Sequence, residues 1–542
     1  MMQAPPDPSG SMAGAGPSTI PALLARQAGL RGDALALSAM SRGQARQGVS
    51  YGDLHRASLG VAAHLRAAGL EAGDRLGIHL TNDWALEAFL AALGALQLGA
   101  VVVPLNTRSA VPELAHALAL TAPRLILCPG GPDGDLAAAM AQAGAAGAAR
   151  PRCLDAGALP ATDAAPPAPD WPAPDADALG CLLFTSGTTG QAKAVMHSHR
   201  TMLATGRCSG GALGLKAGDV YQGAFPFFTS SALNLAGLSC WVAGAGLVIE
   251  GQIDTQARLD LIRSAGTTFY HGVPSVLHFM AEGYDPARHD LRGLRVIANG
   301  GATMPGALVA RIGRLWPWVD QVQIYGMTES GPAGTVLPTG FMASKAGSVG
   351  RAMAGMQVDI LDDDGAPLPP GHMGEIALTG APVGLGYYRN DAATAAAFAG
   401  RRIRTGDMGQ LDADGFLWFG DRRKDMINRG GLKIASVAVE EVLYRHPDVR
   451  EAAVIAIPHP ALGEDVAAVI VARPGAAGPD LAAALQAACR AALADYAVPR
   501  RILFRDSLPR NPMGKILKAD LRRALGDAGH DTTATDPKAE RS

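Results

Sequence analysis

Five stretches of this chain gather side chains able to hold a phosphorylated ligand. Thr185-Ser186-Gly187-Thr188-Thr189-Gly190 carries no bulky or apolar side chain, and Lys193 follows closely. Glycines let a backbone turn until consecutive N–H groups converge on one anion. The hydroxyls of Thr185, Ser186, Thr188 and Thr189 add donors, and Lys193 adds a mobile positive charge, so the stretch suits a polyphosphate. Its spacing is not the G-x-x-x-x-G-K-[ST] loop, and a plain polar turn between strands would use the same residues. In Asn299-Gly300-Gly301-Ala302 the paired glycines leave room for a flat group against the backbone. Tyr325-Gly326-Met327-Thr328-Glu329-Ser330 offers an aromatic face for a purine, hydroxyls for phosphate and a carboxylate oxygen for Mg²⁺. Arg404-Thr405-Gly406-Asp407 places a carboxylate after a glycine turn, where it can accept from both hydroxyls of a ribose. An Asp that merely caps a turn is the commoner use of such text. The fifth stretch, residues 506–518, presents Lys515 on a loop shaped by Pro512 and Gly514.

These stretches lie at the ends of elements that hydrophobic patterning predicts. Residues 179–184 are an apolar run of the length of a buried strand, and it runs straight into Thr185. Between residues 20 and 122, helical patterns at 51–68 and 84–98 alternate with short apolar strands at 75–80 and 100–104. That alternation indicates α/β architecture with largely parallel sheets. Residues 124–128 continue it, whereas 129–177 read as a loose Ala-, Pro- and Asp-rich connection whose last part is exposed. Thr267-Thr268-Phe269-Tyr270-His271-Gly272-Val273-Pro274 reads as strand and turn, and 294–298 lead into the paired glycines. A strand-rich region beginning at Gly374 forms a small β element. A helix at 437–446, strands at 452–457 and 466–472 and an Ala-rich helix at 480–496 make a second α/β unit.

The totals narrow the function. At 542 residues the chain exceeds one core, so two or more domains are expected. Its formal net charge of −2 leaves no electrostatic footprint for nucleic acid or an anionic membrane surface. Cysteines 128, 153, 181, 208, 240 and 489 are scattered without a C-x-x-C pair, which fits a reducing cytoplasm rather than a zinc site or disulfide framework. Residues 1–17 are Pro-, Gly- and Ser-rich, without the apolar core of a signal peptide, and are expected to be disordered. The most membrane-like run, 85–103, is broken by Glu87, Gln97 and Gly99 and reads as a buried helix and strand, not a span.

Thr-Ser-Gly-Thr-Thr-Gly-x-x-Lys resembles the phosphate loop of the adenylate-forming (ANL) superfamily, which includes the AMP-dependent acyl-CoA synthetase/ligase family. Tyr325–Ser330 is similar to that superfamily's adenine and metal motif, Gly420-Asp421-Arg422-Arg423-Lys424-Asp425 to its hinge, and Leu508–Lys518 to its catalytic-lysine motif. The likeness spans about residues 20–525, with six motifs in the expected order. It implies an N-terminal adenylation (AMP-binding) domain over 18–421, a smaller mobile C-terminal α/β domain over 422–526, a flexible tail over 527–542, and a site between the domains. ATP, Mg²⁺ and CoA are the implied cofactor and co-substrates. The implied ATP and AMP contacts are Thr185 to Gly190, Lys193, Gly301, Ala302, Tyr325, Gly326, Thr328, Asp407 and Arg422. Glu329 would hold the metal, and Thr185, Glu329 and Lys515 would carry catalysis. Lys424 would be the pivot about which the domains alternate between half-reactions, and Gly430 and Gly431 would line the way for the pantetheine arm of CoA. Thr229, Gly300 and Met327 would line the acid pocket. Here the chain departs from its relatives: Phe225-Pro226-Phe227-Phe228-Thr229 resembles a Pro-x-Phe-His element, but threonine stands where the histidine belongs.

The leading reading is an AMP-forming ligase that joins a hydrophobic carboxylic acid, fatty or aryl, to CoA. A stand-alone enzyme loading an acid onto a carrier-protein thiol is the alternative, and a non-catalytic relative is disfavoured by intact Lys193, Glu329, Asp407, Arg422 and Lys515. The partners are then a small carboxylic acid and CoA, with no nucleic acid and no membrane span. The oligomeric state stays open, a homodimer included.

Overall fold

The computed structural model describes residues 16–164, 166, 168–185, 192–301, 304–422, 425–429, 432–460, 462–510 and 516–526, the side chains of 421, 422, 433 and 526 excepted. The expected disorder of 1–17 falls almost wholly outside these residues, as does the tail 527–542. The chain is α/β throughout and divides into two compact units. One runs to Met304 and takes in Val309–Asp359 and Ala377–Thr405; the other takes Pro305–Leu308, Ile360–Ile376 and the chain from Gly406 onward.

In the first unit two sheets carry the site. One runs, in spatial order, through Arg152–Asp155, Leu125–Cys128, Arg75–Ile78, Val101–Pro104, Leu179–Thr185 and Lys193–Ser198. All its neighbours are parallel except the last pair. The other orders Thr335–Leu337, Asp320–Tyr325, Val296–Asn299, Phe269–Gly272, Val220–Gly223, Gly246–Ile249, Leu35–Ser41 and Ala45–Ser50, with a parallel centre. Every residue of Val101–Pro104 and Gly246–Ile249 is buried, as parallel strands covered on both faces require. Helix Ala85–Gln97 is likewise buried along its whole length, which is why it looked membrane-like. Its two polar residues are satisfied inside the protein. Glu87 accepts from Ser41 Oγ at 2.7 Å, and Gln97 donates to Ser58 Oγ at 3.0 Å. Among the described residues no helix is long and apolar enough to cross a membrane.

The connection 129–177 is more ordered than its composition suggested. Helix Gly134–Ala145 and strand Arg152–Asp155 lie within it. Asp133 caps the helix by accepting from Leu136 N at 2.7 Å, and Leu136, Ala139, Met140 and Ala143 bury one face at helical spacing. Alanine-rich text concealed a stripe that is itself half alanine.

The second unit is built on a sheet ordered Leu432–Ile434, Ile427–Arg429, Gly463–Ala472 and Val449–His459, with Arg501–Phe504 parallel to Gly463–Ala472. Alternation sends Ala452 and Val454 into one core, shared with helices Ser436–Tyr444 and Pro479–Ala492. Ala453 and Ile455 face the other, with Leu521 of helix Lys518–Gly526.

Candidate active site

The hairpin Leu179–Thr185 and Lys193–Ser198 is registered so that Thr185 pairs directly with Lys193. The two residues therefore close the base of the loop expected to cradle phosphate. Ser186, Gly187, Thr188, Thr189 and Gly190 themselves lie outside the described residues. Residues 384–388 bind along the free edge of Lys193–Ser198. Leu385 N donates to Met196 O at 2.8 Å, Met196 N to Gly386 O at 2.9 Å, and Tyr388 N to Ala194 O at 2.8 Å. This edge pairing brings the Tyr387 ring to 4.8 Å from Lys193 Nζ, within range of a cation–π contact.

The Tyr325–Ser330 text folds as the end of strand Asp320–Tyr325 followed by a tight 3₁₀ turn, Thr328–Ser330. Gly326 is required by close packing: a Cβ there would stand 2.6 Å from the Pro332 carbonyl oxygen. Glu329 is 5% exposed and is held at two points from the 384–387 segment. Its carbonyl accepts from Gly384 N at 2.9 Å, and its Oε1 accepts from Tyr387 Oη at 2.9 Å. Burial and the Glu329 charge push the Tyr387 phenol far above its ordinary range, so it is a neutral donor. Thr328 is gripped from two other directions. His197 Nε2 donates to its carbonyl at 2.9 Å, and its hydroxyl sits 3.1 Å from Ser230 Oγ. His197 is fully buried, and burial pushes it down to about 4, so the ring is neutral and its Nε2 carries the proton. It positions the turn rather than titrating. His199 is also buried and low, and accepts from Ile20 N.

Of the residues expected to line the acid pocket, Thr229 is 5% exposed and turned back on its own loop, its hydroxyl donating to Pro226 O at 2.8 Å. Gly300 abuts Ile324 and His271: a Cβ built on it would stand 3.0 Å from Ile324 Cγ1 and 3.3 Å from His271 Nε2. Gly301 has φ +79°, and among the described residues a Cβ there would meet Val273 Cγ1 at 4.0 Å, so of the two glycines Gly301 has the more open face. Met327 is extended at the entry to the Glu329 turn. Ala302 lies outside the described residues.

In the second unit Asp407 is 7% exposed on strand Arg402–Leu411 and is registered opposite Arg422 of strand Leu417–Arg422. Cross-strand pairing thus brings together two residues, 15 apart in sequence, that were both expected at the ribose. The loop that bears Lys515 is pinched at its neck by a bridge between Arg510 and Ile516 and by Leu517 N donating to Pro509 O at 2.8 Å. Lys424, Gly430, Gly431 and Lys515 lie outside the described residues.

A family model described as AMP-binding enzyme matches residues 24–388, more than half of the chain. The chain belongs to the AMP-binding enzyme family. A model for the AMP-binding enzyme C-terminal domain matches residues 438–515. A feruloyl-CoA synthase of Amycolatopsis sp is 36% identical over 485 residues, 88% of this chain and 94% of that protein. The long-chain-fatty-acid–CoA ligase FadD13 of Mycobacterium tuberculosis is 32% identical over 477 residues, 88% and 92% of the two chains. A structure of Bacillus subtilis o-succinylbenzoate CoA synthetase with ATP and magnesium ion is 28% identical, with a TM-score of 0.80, over 92% of this chain and 98% of that one. This AMP-binding enzyme is an AMP-forming acid–thiol ligase of the acyl-CoA synthetase type, and ATP and CoA are its co-substrates. Loading of a carrier protein is not favoured.

Reading the sequence missed the contacts of Tyr387 with Glu329 and Lys193. Tyr387 went unremarked, although Gly384-Leu385-Gly386-Tyr387-Tyr388 is a glycine and aromatic cluster of the sort that marks close backbone approach. His197 reads from the sequence as a residue that packs or hydrogen-bonds beside the phosphate loop rather than a catalytic one; it does donate a hydrogen bond, and its partner, the Thr328 carbonyl, lies 131 residues away.

Proposed function

We propose that this ligase activates a hydrophobic carboxylic acid, fatty or aryl, in two steps and works in a reducing cytoplasm. The reading is carried by one observation: Lys193, Tyr387 and the buried Glu329 carboxylate form a connected chain at the base of the phosphate loop. A carboxylate is a poor nucleophile toward a polyanion. Lys193 and the Thr185–Gly190 cradle would neutralise the ATP phosphates, and Lys515 would stabilise charge as the acid oxygen attacks the α-phosphate. Pyrophosphate leaves, the acyl-adenylate remains, and the CoA thiolate then attacks its carbonyl and expels AMP. Thr328, Tyr325, Gly301 and Ala302 are proposed to seat the nucleotide, with Asp407 and Arg422 at the ribose. Lys424 is proposed as the hinge, and Gly430 and Gly431 for CoA. Thr229, Gly300 and Met327 are proposed to face the acid.

The Glu329 carboxylate, fixed by a neutral phenol donor, fits a hard divalent cation. Among the described residues no group of three or more His, Cys, Asp or Glu could hold a metal alone. Mg²⁺ held by Glu329 and by phosphate oxygens would supply charge neutralisation on ATP. All six cysteines are free thiols, which supports the reducing compartment.

The test is pyrophosphate release from ATP over a panel of aliphatic, aryl and amino acids, each with and without CoA. Steady turnover of hydrophobic acids that requires CoA is the expected result. A single adenylate burst that CoA does not relieve would point to a carrier thiol instead.

A further inference from the structure

At the floor of the acid side, His271 ends strand Phe269–Gly272 with its ring 4% exposed. Its Nδ1 lies 2.5 Å from Tyr221 Oη, and Tyr221 is fully buried and stacked on Phe269 at 4.8 Å. Phe225 meets the other side of the imidazole edge-on at 5.0 Å. The hydrogen of the Tyr221–His271 bond has one consistent placement. Burial pushes the histidine down to about 4 and the phenol well above its ordinary range, so both are neutral. Among the described residues Tyr221 Oη meets no acceptor other than Nδ1. The phenol therefore donates, Nδ1 accepts, and the imidazole proton sits on Nε2. That N–H finds no protein acceptor among the described residues. What it faces is the missing side chain of Gly300, where a Cβ would stand 3.3 Å away. Beyond it, among the described residues, a Cβ on Gly301 would meet Val273 Cγ1 at 4.0 Å.

A nearly buried donor held in one tautomer is costly to leave unpaired. Resting on the ligase reading above, which places Gly300 on the acid side, we propose that His271 is a specificity residue. Its Nε2–H donates to an uncharged oxygen acceptor on the acid, remote from the carboxylate: a carbonyl, ether or hydroxyl. The preferred substrate is then an otherwise apolar acid bearing such an oxygen, and Tyr221 is the positioning residue that aims the donor.

The experiment compares kcat/KM for CoA-dependent pyrophosphate release on matched acids. The pairs are para-methoxycinnamate against para-ethylcinnamate, a keto-cyclohexyl propanoate against its methylcyclohexyl counterpart, and a keto group walked along a fatty chain against the parent. At the best position the oxygen-bearing acid is expected to win by roughly ten- to a hundredfold, the worth of a buried donor satisfied rather than stranded. His271→Phe, which keeps the ring and loses the donor, brings that ratio to near one, and His271→Gln restores part of it. The proposal is overturned if the wild-type enzyme shows no oxygen preference in any pair, a result that needs no variant to fold. It is also overturned if the preference survives in His271→Phe. If acids turn over with CoA but without His271-dependent selectivity, this inference alone fails. If no acid turns over, the ligase reading fails and takes the inference with it.

Discussion

The Glu329 turn and the Tyr221–His271 corner lie in the same unit, and Glu329 and His271 are both buried, but they are wired differently. Around Glu329 the polar groups are engaged by protein from three other segments: His197 on Thr328 O, Ser230 on the Thr328 hydroxyl, and Gly384 with Tyr387 on Glu329 itself. At the corner one nitrogen of His271 is spoken for by Tyr221 and the other faces Gly300. The first arrangement is held in place by the protein itself before substrate arrives, which suits chemistry shared by every substrate. The second is completed only by something absent from the chain, which suits discrimination among substrates. Preorganised groups stabilise developing charge at no further reorganisation cost, whereas an unsatisfied donor rewards one ligand over its analogue.

The contrast breaks most readily at Glu329. Glu329→Gln keeps an oxygen to accept from Tyr387 and so preserves the turn, but it removes the negative charge. Pyrophosphate release should fall by roughly 10²–10³-fold, the scale of losing one preorganised electrostatic group, and by the same factor for every acid. A drop that varied between acids would show that the turn discriminates, and the division of labour would collapse.

Acid should weaken both regions together, because His197 and His271 are each pushed down to about 4 by burial. A histidine depressed in the folded state stays neutral there while the unfolded chain takes up a proton below about 6.5. Stability is therefore flat above that pH and falls between 6.5 and 4, by roughly 2 kcal/mol per histidine at pH 5. Denaturant midpoints at pH 7.5 and 5.0 check this, and His271→Phe should lose its own share of the difference. Equal midpoints at the two pH values would mean that the rings are charged in the folded state.

A smaller effect belongs to Tyr387→Phe. The aromatic ring beside Lys193 survives, but the buried Glu329 carboxylate loses a donor, which costs about 1.5–3 kcal/mol for a bond to a charged group. Urea titration should register the loss, and selectivity among acids should not move. If stability is unchanged, Tyr387 is not what holds Glu329.

The two regions also differ in how far the sequence exposed them. The strand Leu179–Thr185 was legible because an apolar run leads straight into Thr185, whereas the cluster Tyr325–Ser330 stood out by its chemistry without the strand that precedes it. Tyr387 was not, since what matters is its pairing with an edge strand almost 200 residues earlier, seen here as Tyr387 opposite Val195. The helix Gly134–Ala145 was lost because alanine is both a helix former and a filler of loose text, and only burial of its stripe separates the two. His271 was visible as a letter in a strand, but its meaning rests on Tyr221, 50 residues away, and on the absent side chain of Gly300. Registered strands can place residues; only packed side chains show which donor has been left over.

Thr229 sets the finest test, because a residue proposed to face the acid should still obey the rule that committed groups do not discriminate. Its hydroxyl donates to Pro226 O at 2.8 Å, and the same carbonyl also accepts from Thr229 N at 3.0 Å. Thr229→Val keeps the shape and deletes the hydroxyl, and Pro226 O retains the backbone donor, so no buried acceptor is orphaned. The expected cost is about 0.5–1 kcal/mol, one neutral hydrogen bond with nothing left unpaired, visible as a small drop in denaturant midpoint. The ratio of kcat/KM between oxygen-bearing and hydrocarbon acids should stay where wild type sets it. Were that ratio to fall in Thr229→Val as far as in His271→Phe, the Thr229 hydroxyl would be turning to the substrate on binding. Selectivity would then belong to the whole floor of the pocket rather than to the one donor its packing leaves unmatched.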